Sequence, residues 1–138
     1  MRTRRSTPFA ALCLLMGALA ACGEGSHATD PEGPSLTGEW IGTLRLSSTV
    51  STVISLSLQE TDGAVSGSGT WAASGNGLSL PVSIREGVFT SPRATFVIQQ
   101  GSSAALPFTG TLSSDGMSLQ GEVNGGSAGF LALGFARR

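Results

Sequence analysis

The sequence predicts an all-β domain, an antiparallel eight-stranded up-and-down β-barrel, and three observations predict it. Apolar and polar residues alternate with a period of two from Leu36 to the C-terminus, the pattern of strands with one buried face. Short turns rich in Gly, Ser, Asp and Asn join these runs, which makes successive strands antiparallel hairpins. No stretch carries a helical repeat long enough for a crossover connection. Eight strands with one apolar and one Ser/Thr-rich face suit a sheet closed on itself, its interior wide enough for packed side chains or one small ligand. A two-sheet β-sandwich is the competing arrangement.

The first run puts Gly38, Trp40, Gly42, Leu44 and Leu46 on one face. The second puts Ile54, Leu56 and Leu58 opposite Ser55, Ser57 and Gln59, and Asp62-Gly63 then supplies a strong hairpin turn. The third, Ala64 to Trp71, carries Gly67 and Gly69, which in a strand mark bends or close backbone approach. After the Ser74–Gly77 turn, Leu78, Leu80, Val82 and Ile84 alternate with polar residues. Pro81 lacks the donor a ladder needs and is expected at an edge or bulge. Glu86-Gly87 reads as a bulge, because Val88 and Phe89 continue the strand before Ser91-Pro92 ends it. The fifth and sixth runs are Ala94 to Gln100 and Ala104 to Leu112. Ser114-Asp115-Gly116 turns into a seventh, with Met117, Leu119 and Val123 on one face. Asn124-Gly125-Gly126 turns into the last, Gly129 to Ala136.

Ahead of the barrel lies a different kind of sequence. Three arginines within Met1–Arg5 are followed by an uncharged apolar segment from Phe9 to Ala21, the layout of a secretory signal peptide. The segment is shorter than the ~20 residues a membrane-spanning helix needs. It ends in Leu19-Ala20-Ala21-Cys22, which resembles the lipobox of bacterial lipoproteins. That resemblance implies cleavage before Cys22 and acylation of the new N-terminus and thiol. Cys13 falls within the leader, so the mature chain keeps Cys22 alone and has no internal disulfide. The resemblance to bacterial lipoproteins further implies, from Gly23 rather than Asp after the cysteine, the outer membrane of the cell envelope. The boundaries are then 1–21 for the signal peptide, 22–35 for the lipidated cysteine and a flexible Gly/Pro/Ser tether, and 36–138 for the barrel.

Removing the leader leaves one domain's length. It also leaves five arginines against nine carboxylates, a net charge of −4 (5 − 9), and no lysine. With no basic stripe, nucleic acid is not an expected partner. The single histidine, His27, lies in the tether, where a solvated side chain is the simpler reading. A nucleophile therefore has no imidazole base within the barrel. Glu39, Glu60, Asp62, Glu86, Asp115 and Glu122 are scattered near strand ends and turns. No His/Cys cluster or oxygen-rich loop has metal-ligand spacing, and Ser66-Gly67-Ser68-Gly69 precedes no helix and is not a phosphate loop. The expectation is a non-enzyme without a cofactor or metal.

Gly38-Glu39-Trp40 places a glycine two residues before a tryptophan on the first strand. This resembles the opening motif of the calycins, the lipocalin and avidin-like barrels. The resemblance implies that Gly38 admits the chain, that Trp40 plugs the closed end, and that Arg137 or Arg138 packs on the tryptophan. It does not carry biotin binding with it, since the chain has no tyrosine and only Trp40 and Trp71 as tryptophans. Two functions follow. The first is an anchored barrel holding a small apolar ligand, its cavity lined by Trp40, Ile54, Leu56, Trp71, Val82, Phe96 and Phe108, with Gly69, Gly121 and Ala132 leaving space. The second is a filled barrel, its interior taken by the aromatic residues including Phe89, Phe130 and Phe135, acting through its surface on an envelope protein or a protease. Partners are thus the membrane through the lipid anchor and either a hydrophobic ligand or an envelope protein.

The anchor is directly testable. In a bacterial host, labelled fatty acid is expected to follow the wild-type chain through electrophoresis and to be lost in Cys22→Ser.

Overall fold

The computed structural model describes residues 33–73 and 77–138. The signal peptide, Cys22, most of the tether and the first three residues of the Ser74–Gly77 turn lie outside the described residues. Within them the chain forms β1 (Gly38–Arg45), β2 (Ser51–Thr61), β3 (Ala64–Ala73), β4 (Ser79–Thr90), β5 (Arg93–Gln100), β6 (Ala104–Leu112), β7 (Ser118–Asn124) and β8 (Phe130–Arg137). A 3-10 turn at Gly126–Ala128 is the one helical element among the described residues.

Each strand pairs antiparallel with the next, and the sheet then closes through a β1–β8 ladder from Trp40↔Arg137 to Leu44↔Leu133. That ladder decides for a barrel against a sandwich, whose two sheets would leave these strands at free edges. The register keeps one parity inside. Trp40, Leu44, Ile54, Leu56, Leu58, Val82, Ile84, Phe96, Ile98, Phe108, Leu119, Val123, Leu133 and Phe135 are all buried.

Two local devices preserve that parity. Asp62 and Gly63 both have positive φ, 52° and 79°, as a two-residue hairpin with the right strand twist demands. In β4 the register shifts between Arg85 and Val88, with Glu86 at φ 52°, so the expected bulge is present. The extra residue reverses the alternation beyond it. Val88 therefore faces out and Phe89 faces in. A Cβ at Gly87 would overlap the Val65 carbonyl, which explains the glycine at this position. Pro81 pairs with Thr70 of β3, whereas the β4–β5 ladder begins only at Ser83↔Gln99. The proline thus lies where β4 has lost one neighbour.

Six residues depart from the period-two reading, all for positional reasons; Leu78 and Leu80 share the parity of Val82 and Ile84 but lie before the β4–β5 ladder begins at Ser83, and both are exposed. Leu46 and Met117 have the inward parity but fall just beyond the ends of their strands, and both are exposed. Phe130 and Ala132 share a parity with the outward residues of β8, whose inward set is Leu131, Leu133 and Phe135. Phe130 therefore does not fill the interior, and Ala132 leaves no space in it.

Strand spacing depends on inward glycines. A Cβ at Gly69 would overlap the backbone carbonyl of Ser55 on the paired strand. Gly69→Ala is expected to lower stability by about 1–3 kcal/mol through overpacking, read as a lower denaturant midpoint. Gly33→Ala, where nothing lies within 4 Å of the new atom, is expected to leave the midpoint unchanged.

Candidate functional site

Alternating strand direction sorts the connections between two ends. The β2–β3, β4–β5 and β6–β7 turns and both described chain ends share one end of the barrel; the β1–β2, β3–β4, β5–β6 and β7–β8 loops share the other.

The first end is closed by the residues before β1. Leu36 is wholly buried. Its N–H donates to Glu60 Oε2 at 2.9 Å, as does the Ser35 hydroxyl, and Thr37 Oγ1 accepts from the Glu60 N–H at 3.0 Å. Trp40 Nε1 donates to the Leu36 carbonyl at 2.8 Å, so the polar edge of the buried indole is satisfied. The Arg137 guanidinium lies over the indole face, 4.7 Å from its centroid, and donates through Nη2 to the Ser35 carbonyl. Its Nε is buried without a hydrogen-bond partner. Gly38 has φ 145°, a conformation that favours glycine. A Cβ there would lie 3.9 Å from the guanidinium, so the constraint is the backbone angle rather than lack of room. Arg137, not Arg138, is the residue that packs on Trp40; the Arg138 N–H instead donates to the Glu39 carbonyl at 2.9 Å.

The interior above this plug is occupied by side chains. Phe96 and Phe108 stack with centroids 4.7 Å apart, and Phe108 meets Phe135 edge to face at 5.6 Å. Glycines make room for these rings. A Cβ at Gly110 would come 2.5 Å from the Phe108 ring, one at Gly121 would meet the same ring at 2.8 Å, and one at Gly42 would come 2.6 Å from Phe135. The space conceded at Gly69 is taken by the Ser55 and Leu56 backbone. Of the seven residues expected to line a cavity, Trp40, Ile54, Leu56, Val82, Phe96 and Phe108 are buried against one another in the core, while Trp71 is only partly buried.

The second end is open and has a different chemistry. Leu46 (48% exposed) and Val50 (42%) flank the β1–β2 loop, Leu78 (58%) and Leu80 (44%) the β3–β4 loop, and Phe130 (68%) follows the β7–β8 loop. Beneath them Trp71, Leu106 and Leu131 are partly buried on top of the core. Arg45 is the one charged residue among the described residues of this rim, whose remainder is Ser, Thr, Gly, Ala, Gln and Asn. At the closed end, by contrast, lie Glu39, Glu60, Asp62, Arg93, Asp115, Arg137 and Arg138. Two surface depressions also mark the open end. One, of about 250 Å³, is lined by Leu80, Pro81 and residues 100–103; the other, of about 160 Å³, by Arg45 and residues 47–51.

The apolar rim was not singled out from the sequence, yet a signal for it exists. Once strands are numbered, even and odd connections fall at opposite ends, and large exposed apolar residues flank three of the four loops at one end.

No three His, Cys, Asp or Glu side chains come together among the described residues. The Asp115 carboxyl is held below its ordinary pKa, first by the Ser113 hydroxyl at 2.5 Å and then by the Met117 N–H at 2.9 Å. It is fully exposed in the β6–β7 turn, so these bonds shape the turn. Comparison with protein-family models, with curated proteins and with solved structures finds no match to the chain.

The closed end is expected to carry much of the stability. Trp40→Ala is expected to cost about 3–5 kcal/mol, through lost burial and the cavity left behind. Arg137→Ala is expected to cost roughly 1–2 kcal/mol through the lost cation–π contact. Equilibrium denaturation measures both.

Proposed function

We propose that this chain is a lipoprotein of the bacterial cell envelope, anchored through Cys22, probed by its surroundings only at the surface of a calycin-like barrel. It acts by contact with protein rather than by catalysis or by carrying a ligand in its interior. The observation that carries this reading is the stacked core: Phe96, Phe108 and Phe135 occupy the middle of the barrel, seated on Gly42, Gly110 and Gly121. A carrier needs a pocket of a few hundred cubic ångströms enclosing its ligand, and here the apolar interior faces are spent on one another. The leader, Leu19-Ala20-Ala21-Cys22 and Gly23 support the anchor and its place on the outer membrane. Gly38, Trp40 and Arg137 in contact at the closed end support the calycin-like kinship.

The contact surface in this proposal is the open rim. The chain enters β1 at the closed end, opposite to Leu46, Leu80 and Phe130.

A second reading is favoured by Trp71, Leu106 and Leu131, which form an incompletely covered apolar layer at the mouth. A small hydrophobic molecule lying across that layer would cover it. The two readings part in one experiment on the purified lipoprotein: organic extraction and mass spectrometry, followed by titration with an apolar fluorescent dye. The filled-barrel reading expects no stoichiometric hydrophobe beyond the N-terminal acyl groups and no saturable dye binding. A co-purifying hydrophobe that is lost in Trp71→Ala would replace it with the ligand reading.

A further inference from the structure

We infer that the open end is a gate: the tips of the β5–β6 and β7–β8 hairpins are two leaves that swing independently of the β1–β4 body, with hinges set by Pro81 and Pro107. Three of the ladders around the barrel stop short of this end. The β4–β5 ladder ends at Ser83↔Gln99, the β6–β7 ladder at Phe108↔Val123 and the β1–β8 ladder at Leu44↔Leu133. The others run on to the loops of this end, as far as Arg45↔Ser51, Thr52↔Ala73, Ala72↔Ser79, Gln100↔Ala104 and Asn124↔Phe130. The mouth is therefore cut into three parts: the β1–β4 body, a leaf of residues 100–107 and a leaf of residues 124–132.

The prolines account for two of the three cuts. Alternate residues of a paired strand direct their backbone N–H and C=O to opposite neighbours. The Ala73 N–H donates to the Leu78 carbonyl at 3.3 Å, and the Ser113 N–H to the Ser118 carbonyl at 2.8 Å. In β4 the backbone groups of Leu78 and Leu80 thus turn to β3 and those of Pro81 to β5, while in β6 those of Pro107 turn to β7. Extending each register towards the mouth sets Pro81 opposite Gly101 and Pro107 opposite Asn124. Proline has no N–H to give either partner, so neither ladder continues. The Gly101 carbonyl accepts instead from Gln99 Nε2 at 2.9 Å, a bond within the β5–β6 hairpin.

Little else ties the leaves to the body. The bonds that order their tips are internal: the Ser103 N–H donates to the Gln100 carbonyl, the Gly125 N–H to the Gly129 carbonyl and the Gly126 N–H to Asn124 Oδ1. Among the described side chains, Leu106 is the one of its leaf packed against the core, and Leu131 the one of the other. With Trp71 on the body, each part of the mouth supplies one residue to the half-covered apolar layer. Segments with so few buried apolar contacts open at much lower free energy than the fold as a whole. Outward swing of a leaf uncovers one leucine, whereas the stack of Phe96, Phe108 and Phe135 lies at or below the last shared pairs and keeps its packing. The open form turns the layer of Trp71, Leu106 and Leu131 into an apolar cleft, so the surface shown at this end is switchable. Such a gate operates whether the rim meets a protein or a small molecule.

Methyl relaxation dispersion on the full-length lipoprotein in detergent micelles, with carbon-13-labelled leucine methyls, reads motion on the timescale of such hinges. Leu106 and Leu131 are expected to show dispersion, and Leu44, Leu56 and Leu119, below the cuts, to give flat profiles. Pro81→Thr/Pro107→Thr restores both N–H groups at exposed, outward positions; it is expected to lengthen both ladders and to abolish dispersion at Leu106 and Leu131. Flat wild-type profiles at both leucines overturn the gate, and so does dispersion at the same rate in Leu56, the mark of a global process. Dispersion that persists in a double variant with a wild-type circular dichroism spectrum overturns the proline hinges and the proposal with them. The wild-type comparison of leaf and body leucines decides the gate by itself where the double variant does not fold.

Discussion

Closing a sheet of eight strands encloses an interior of nearly fixed width, and most of this molecule follows from the need to fill it. No disulfide is present to compensate for a loose core, since the described chain contains no cysteine. The solution is an uneven lining. Large rings from β5, β6 and β8 project across the barrel, and glycines on β1, β6 and β7 supply the recesses that receive them. Each glycine sacrifices backbone entropy and side-chain burial of its own. What is gained is dense packing, in which every displaced atom costs dispersion contacts. The same glycines that would make room in an empty barrel are here the floor beneath Phe108 and Phe135.

Filling also dictates how the ends differ. At the closed end the chain before β1 folds under the core, and its backbone groups require partners because they are removed from water. Glu60 serves Ser35 and Leu36, while Arg137 serves Ser35 and stacks on Trp40. A carboxylate and a guanidinium at that end are therefore consequences of burying an irregular segment. At the open end no segment crosses the mouth among the described residues, so nothing there demands charged partners. The last apolar layer, Trp71, Leu106 and Leu131, is left half-covered, with Leu46, Val50, Leu80 and Phe130 around it. One end is polar because it is plugged; the other is apolar because it is not.

This contrast bears on how such a domain can act. Deeply packed barrels have little freedom to open an interior site, because a ring stack cannot yield one member without exposing the rest. In the proposed reading activity belongs to the exterior, whose open end differs from the rest in its exposed apolar residues.

Much of the fold was legible before any coordinates, since a period of two has a single geometric meaning: alternate side chains lie on opposite faces of a sheet. That period placed Trp40, Ile54, Leu56, Val82, Phe96 and Phe108 on one inner face, and turn chemistry at Asp62-Gly63 and Glu86-Gly87 placed a hairpin and a bulge. Parity alone did not say where a strand stops, so Leu46 and Met117 were assigned to a face they do not reach. Nor did it say which face of β8 turns inward when Phe130, Leu131, Phe135 and Ala136 are all apolar; the β7–β8 pairing decided that. Whether glycines hold space open or concede it to a neighbour depends on which residue stands across the barrel, a relation between strands distant in sequence. The sequence by itself determined the strands, their order and the inward parity of all but β8, because these follow from local alternation and turn geometry. Only the tertiary structure decided that the sheet closes, that Phe108 rests on Gly110 and Gly121, that Arg137 rather than Arg138 covers Trp40, and that the apolar loops share one end. Each of those is a contact across the barrel, and its energy is set by shape and by partners that no local pattern contains.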